Sequence, residues 1–184
     1  MTDGTKKHYH FDSFDAGEEW GTPGWIWGPL KDALDGFTLD PASGAELQPI
    51  ARDAITKDDE NHGLLARWYG DVWLNPPYGR VQNPKWAAKV RGEVQAGYPH
   101  TVTALVSNGT SADWWQTVYA RAEYLTFIDK RVKFHDSNPD TDKDRNSASF
   151  GSVIASFEVQ RTFPDSYVDA LHDLGHVRPA PRKV

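Results

Sequence analysis

The sequence predicts an α/β domain built on a mostly parallel sheet with helices on both faces. Three observations carry that prediction. Helix-type and strand-type patterns alternate from Thr22 onward, the strand patterns are short and rich in β-branched residues, and no internal repeat or linker divides the chain. A single domain over residues 20–177 follows, preceded by a polar arm, 1–19, and followed by a loose, basic, Pro-containing tail, 178–184.

Taken in order, Thr22-Pro23 reads as a helix start, with Thr as N-cap and Pro in the first turn. Gly28-Pro29 is expected to break that helix, which resumes from Leu30 to Leu34 and stops at Gly36. Phe37 to Leu39 is a short strand ending at Asp40-Pro41. A short helix is expected around Leu47 to Ala51, then a charged loop from Lys57 to His62. Asp71 to Leu74 is a buried strand that runs into Asn75-Pro76-Pro77-Tyr78-Gly79. Asn83-Pro84 caps a helix that reaches about Ala96 and closes at Gly97, with Trp86, Ala87, Val90 and Val94 as its apolar stripe.

Thr101 to Val106 is a strand, and Ser111 caps a helix from Ala112 to Ala122. Tyr124 to Ile128 and Ser152 to Val159 are strands, and Pro164 to Leu174 is a helix ended by Gly175. Between them, His135 to Ser149 is a long polar loop with little to bury, which reads as either disordered or a functional lid, with a merely tolerated insertion as the bland alternative.

Bulk properties exclude several classes. With 39% hydrophobic and 12% aromatic residues, the 184-residue chain can build a substantial core. The absence of cysteine removes disulfide and thiolate-metal chemistry, and the seven histidines show no metal-ligand spacing, so no metal is expected. No apolar run reaches the roughly 18 residues of a membrane span, and Met1 to Phe14 lacks a signal-peptide core, so a soluble, cytoplasmic protein is expected. The net charge of −6 offers no global attraction to nucleic acid, so any such contact must rest on a local basic patch.

In an open α/β sheet, ligands gather beyond the C-terminal ends of the strands. Asp40-Pro41 and Asn75-Pro76-Pro77-Tyr78 both stand at such ends. The second sequence has a specific chemical use. The exocyclic amine of adenine is a weak nucleophile because its lone pair is delocalised into the ring. The Asn75 carboxamide oxygen and the Pro76 carbonyl can each accept one of its N–H bonds, which frees the lone pair. Pro76 and Pro77 keep the turn rigid, so both acceptors stay aimed. Tyr78 offers a face on which an extruded base can stack, worth about 1–3 kcal/mol. A plain Asn-Pro turn is the bland reading of the same residues.

Several segments, in order, resemble the phage-type DNA N-6-adenine-methyltransferase (Dam-like) family, within the class I S-adenosylmethionine-dependent amino-methyltransferases. Trp20-Gly21-Thr22-Pro23 is similar to the family's Trp-x-Thr-Pro opening, and Phe37 to Ala42 to its Phe-x-Leu-Asp-Pro-Ala segment. Trp68 to Gly79 resembles its Trp-x-Gly-x-x-Trp-x-Asn-Pro-Pro-Tyr-Gly block. Ala112 to Trp115 resembles a following helix start with Trp, and Lys130 to Phe134 its Gly-Arg-x-x-Phe element, with Lys130 in place of glycine.

The resemblance implies a Rossmann-like fold, S-adenosyl-L-methionine as methyl donor and double-stranded DNA as substrate. It assigns Asn75, Pro76, Pro77 and Tyr78 to catalysis. Thr22 and Pro23 would flank the methionine end of the cofactor, and Asp40, Pro41 and Ala42 would form its loop. Glu46 stands where a second glycine is common, so the loop departs from the wider class. Asp53, Asp58 and Asp59 are all candidates for the ribose hydroxyls. Arg80, Arg131, Lys133, Lys143 and Arg145 are the candidate DNA contacts, with a solvated surface as their bland alternative. Methylation of a protein glutamine or an RNA base, and a non-catalytic DNA-binding remnant of the fold, are the competing functions.

Overall fold

The structure, a computed structural model, describes residues 20–44, 49–56, 59, 62–136 and 150–180. The 1–19 arm, most of the 135–149 loop, Asp58, Lys143 and Arg145 lie outside the described residues. A seven-stranded mixed sheet forms the middle layer. Its strands are β2 (Phe37–Asp40), β3 (Ala51–Ala54), β4 (Gly70–Leu74), β5 (Pro99–Ser107), β6 (Tyr124–Ile128), β8 (Ser152–Glu158) and β9 (Gly175–Pro179). They lie in the order β3-β2-β4-β5-β8-β6-β9. A separate two-stranded ladder joins β1 (Trp20–Gly21) to β7 (His135–Asp136).

The expected mostly parallel sheet is corrected here. β3, β2, β4 and β5 pair in parallel, but β8 is antiparallel to β5 and to β6, and β9 is antiparallel to β6. The physical reason is connectivity. β9 follows α4 (Asp165–Leu174) directly, without a loop, and the reversal at Gly175 returns the chain along β6. Strand patterns buried on both faces read alike in either direction, so composition could not reveal this.

Helices do cover both faces. α1 (Gly24–Ala33) and α4 pack on one side, where Ile26, Leu30, Tyr167 and Leu171 meet Trp73, Leu105 and Ile154. α2 (Gln82–Ala96) and α3 (Asp113–Thr117) pack on the other, where Trp86, Ala87, Val90 and Trp115 meet Val72, Leu74, Val102, Ala104 and Val106. Val72, Trp73 and Leu74 thus alternate between the two cores, as the two-residue period of a strand requires.

Local expectations differ at several places. Gly28-Pro29 does not break α1, which runs through Pro29. An internal proline costs about 3 kcal/mol. Ile26 and Leu30, both fully buried one turn apart, return about 1.5–3 kcal/mol each. Residues 51–54, partly expected as helix, form β3 because β2 offers an open edge (Phe37↔Ala51, Asp40↔Ala54). The helix after Ser111 shortens to α3 plus a 3-10 turn, Tyr119–Arg121, giving way at the β-branched pair Thr117-Val118. His135 and Asp136, expected in the loop, pair with Gly21 and Trp20 as β7. Arg178 and Pro179, expected in the tail, close β9, and Arg178 Nη2 donates to the Ala120 carbonyl at 3.1 Å.

One buried polar contact sets α4 on the sheet. The Tyr167 hydroxyl lies 2.7 Å from Thr103 Oγ1 and 2.9 Å from Ser156 Oγ, which face each other across β5 and β8. All three are fully buried. Tyr167→Phe should leave both hydroxyls without this partner and cost about 1–3 kcal/mol. Urea unfolding checks it: the midpoint falls while the slope stays constant.

Candidate active site

β2 and β4 are parallel neighbours (Leu39↔Val72), so the turns after Asp40 and Leu74 emerge at one edge of the sheet. β5 runs beside β4 in the same direction and brings Leu105 to that edge. Thr22 joins them from the entry to α1.

The turn after β4 cannot hold itself, because Pro76 and Pro77 have no N–H to donate. Side chains hold it instead. Asn75 Nδ2 donates to Thr22 Oγ1 at 3.0 Å, and the Tyr78 hydroxyl donates to Asn75 Oδ1 at 2.8 Å, with the Leu105 carbonyl 3.2 Å away as a second acceptor. Burial pushes the Tyr78 phenol well above the usual tyrosine range, so it stays a neutral donor. Beyond it, Gly79 takes a φ of 141°, a region that favours glycine, and its N–H donates to Asn83 Oδ1 at 3.3 Å. Asn83 was expected as a helix cap. It lies instead inside the first turn of α2 and reaches back to the turn after β4.

Tyr78 also has aromatic neighbours. Phe134 stands edge-on at 6.0 Å and Phe150 at 5.1 Å between ring centroids. The segment 131–134 therefore runs beside the turn. Val132 is fully buried and Phe134 half-buried, which leaves Arg131 and Lys133 exposed in between. Arg80, two residues past Tyr78, is exposed as well. Lys89 belongs elsewhere: its Nζ donates to Glu93 Oε1 and the Ala66 carbonyl, both at 2.6 Å.

The second turn carries a buried carboxylate. Asp40 is 3% exposed, Oδ1 accepts from the Ala42 N–H at 3.0 Å, and no basic side chain bonds to it among the described residues. Burial pushes its pKa up to about 7, against the smaller opposing effect of the Ala42 bond. The loop is fixed around it. Ile55 N–H donates to the Asp40 carbonyl at 2.9 Å and Ser43 N–H to the Ile55 carbonyl at 3.0 Å. Gly63 packs so closely on the Pro41 carbonyl that any side chain there would collide. The Gly63 carbonyl in turn accepts from Trp68 Nε1 at 2.9 Å, and Trp68 stacks on Trp86 of α2. Thus the upstream Trp68 acts as a brace behind both turns.

Of the acids considered for ribose, Asp53 is held by Arg52 (2.9 Å) and the Tyr69 hydroxyl (3.0 Å), with Arg52 chiefly holding it below the usual carboxylate range. Asp59 Oδ2 caps Thr56, whose N–H lies 2.6 Å away. Sequence reasoning missed Phe150, Asn83 and Gly63 as parts of the site. The four-residue spacing from Gly79 to Asn83 was a signal for one of them, whereas Phe150 and Gly63 reach the site only through tertiary contacts.

A mixed α/β sheet flanked by helices is consistent with a methyltransferase-like fold. No curated protein matches the chain. The chain belongs to the DNA N-6-adenine-methyltransferase (Dam) family, whose profile matches residues 13–175. Membership implies DNA adenine-N6 methyltransferase activity in general terms, with DNA as substrate, and enzymes of this kind generally use S-adenosylmethionine. Among the described residues, no helix is long and apolar enough to cross a membrane.

Asp40 has a pH signature with a definite sign. Its folded pKa of about 7 exceeds the 3.8 of an ordinary aspartate, so ionisation opposes folding. Its stabilising contribution is full below about pH 4, is lost as pH rises, and is gone above about 7. Asp40→Asn should therefore unfold at a higher temperature than wild type at pH 8, with the advantage vanishing by about pH 4. Thermal melts across that range check it.

Proposed function

We propose that this protein is a site-specific DNA adenine-N6 methyltransferase with a Rossmann-like fold that acts on a flipped adenine, using S-adenosyl-L-methionine. The single observation that carries this reading is the anchored Asn75 carboxamide. Its oxygen has two lone pairs, and only one is used by Tyr78, so one remains for an amine N–H.

The chain's own residues then divide the work. Asn75 Oδ1 and the Pro76 carbonyl accept the two amine hydrogens and free the nitrogen lone pair. Pro76 and Pro77 hold these acceptors in place, so that no reorganisation is needed during reaction. Tyr78, packed against Phe134 and Phe150, offers its ring to the extruded base. Thr22 and Pro23 flank the donor's methionine end, and Asp40, Pro41 and Ala42 form its loop. Asp40 suits that group: a buried carboxylate that bonds to no basic side chain among the described residues gains most from a cationic ligand. Bound there, S-adenosylmethionine would supply an electrophilic methyl group, carried on its sulfonium, to the freed lone pair. Arg80, Arg131 and Lys133, all exposed at this edge, meet DNA phosphates.

Asn75→Ala should abolish methyl transfer, by at least about a hundredfold, while the cofactor Kd changes little. Methyl transfer from labelled donor to adenine-containing duplex, with calorimetry for the cofactor, checks both. Near-normal turnover would sink the reading.

Tyr78 has two separable parts. Tyr78→Phe keeps the face but drops the bond to Asn75, so the rate should fall severalfold at nearly unchanged KM for DNA. Tyr78→Ala should also raise KM. Equal kinetics for the two variants would contradict this division.

Arg131→Ala should weaken duplex binding at every sequence alike. It should also reduce the slope of log K against log salt by about 0.9. An unchanged slope removes Arg131 from the DNA contact.

A further inference from the structure

Thr22 enters the site through an unexpected bond. The resemblance placed it beside the cofactor, yet its hydroxyl accepts the Asn75 Nδ2–H at 3.0 Å. Thr22 is 3% exposed, and its carbonyl accepts from Trp27 Nε1 at 3.1 Å, so the residue is tied to the first turns of α1. The bond spans 53 positions of sequence and joins the entry of α1 to the mouth of β4.

A carboxamide has a broad, roughly two-fold torsion at its last bond, and its two ends differ in chemistry but hardly in shape. In catalysis that difference is decisive. An oxygen facing the adenine amine accepts its hydrogen, whereas an NH₂ group facing it opposes donor to donor. Tyr78 alone cannot decide the sense. Its hydroxyl can donate to the Leu105 carbonyl, 3.2 Å away, and accept from an Asn75 turned end for end. A second contact at the far end of the group, from Thr22, pins its plane and position in the observed sense.

We propose that Thr22 is a positioning residue for methyl transfer: its hydroxyl, bonded to the nitrogen end of Asn75, holds the carboxamide in the plane that keeps its oxygen aimed at the incoming amine. The proposal rests on the catalytic reading of Asn75. It assigns the Thr22 hydroxyl to the acceptor that activates the substrate, while the backbone of Thr22 and Pro23 remains beside the cofactor.

The test uses the full chain and three substitutions. Thr22→Val keeps the shape and removes the hydroxyl, Thr22→Ala removes it with less bulk should the valine variant fold poorly, and Thr22→Ser keeps it. Single-turnover methyl transfer at saturating cofactor and DNA is measured beside the cofactor Kd. Misplacing a catalytic group by about 1 Å can cost about a hundredfold. The hydroxyl-free variants are therefore expected to lose at least about tenfold in rate with a cofactor Kd within about twofold of wild type. Thr22→Ser should recover to within about threefold of wild type. In an Asn75→Ala background, Thr22→Val should change the residual rate no further. A folded hydroxyl-free variant with the wild-type rate overturns the proposal, as does a defect confined to cofactor affinity. The two readings fail separately. Normal turnover by Asn75→Ala removes the catalytic reading, whereas a dead Asn75→Ala beside a fully active Thr22→Val removes only the role of Thr22.

Discussion

Two prolines in succession at the mouth of β4 take away two backbone donors where the chain must turn sharply. The rest of the site answers that constraint. Asn75 ahead of the prolines is held by Thr22, Tyr78 behind them bonds back to Asn75, and Gly79 is caught by Asn83. Each contact brings in a different element: the entry to α1, the turn itself and the first turn of α2. β5 contributes the Leu105 carbonyl. A stiff turn held from outside is therefore also the place where four parts of the fold converge.

The sheet explains why those parts are available there. The run β3-β2-β4-β5 is parallel, so its C-terminal ends form one edge that carries Asp40, the Asn75 turn and Leu105. The antiparallel strands β8 and β9 widen the sheet beside it. They supply Ser156, which with Thr103 seats Tyr167, and Val177, buried in the same core as α1. At the opposite end of β4, Arg161 pairs Asp71 through two bonds, 3.1 and 2.7 Å, and Thr101 adds a third at 2.8 Å. A sheet fastened at one end and packed on both faces lets the other end carry a buried carboxyl such as Asp40.

Asp40 illustrates how burial and chemistry combine. Burial strips water from its carboxyl and the Ala42 N–H offsets only part of that loss, so the proton is held to about pH 7. The cost is tolerated because Ile55, Ser43 and Gly63 fix the loop around it. Local rigidity here comes from Trp68, which ties Gly63 to α2 through its indole. The upstream tryptophan of the motif thus has a mechanical role in addition to its place in the core.

The sequence by itself determined the α/β class, the alternation of elements, the two strand-end turns and the identity of Asn75-Pro76-Pro77-Tyr78. Each of these depends on residues close together in the chain: the two-residue and 3.6-residue apolar periods, the missing N–H of proline, and the amide of asparagine. Tertiary structure alone decided strand direction, the formation of β3 at a vacant edge, the survival of α1 through Pro29 and the partners of Asn75. Direction and edge pairing depend on which strands become neighbours, and no local pattern encodes that. Likewise Thr22 was legible as a helix start and, by resemblance, as a cofactor neighbour, but not as a partner of Asn75, because that bond exists only once α1 and β4 have been brought together. A hydroxyl offers the same donor and acceptor to any partner, and only the fold chooses which one it meets.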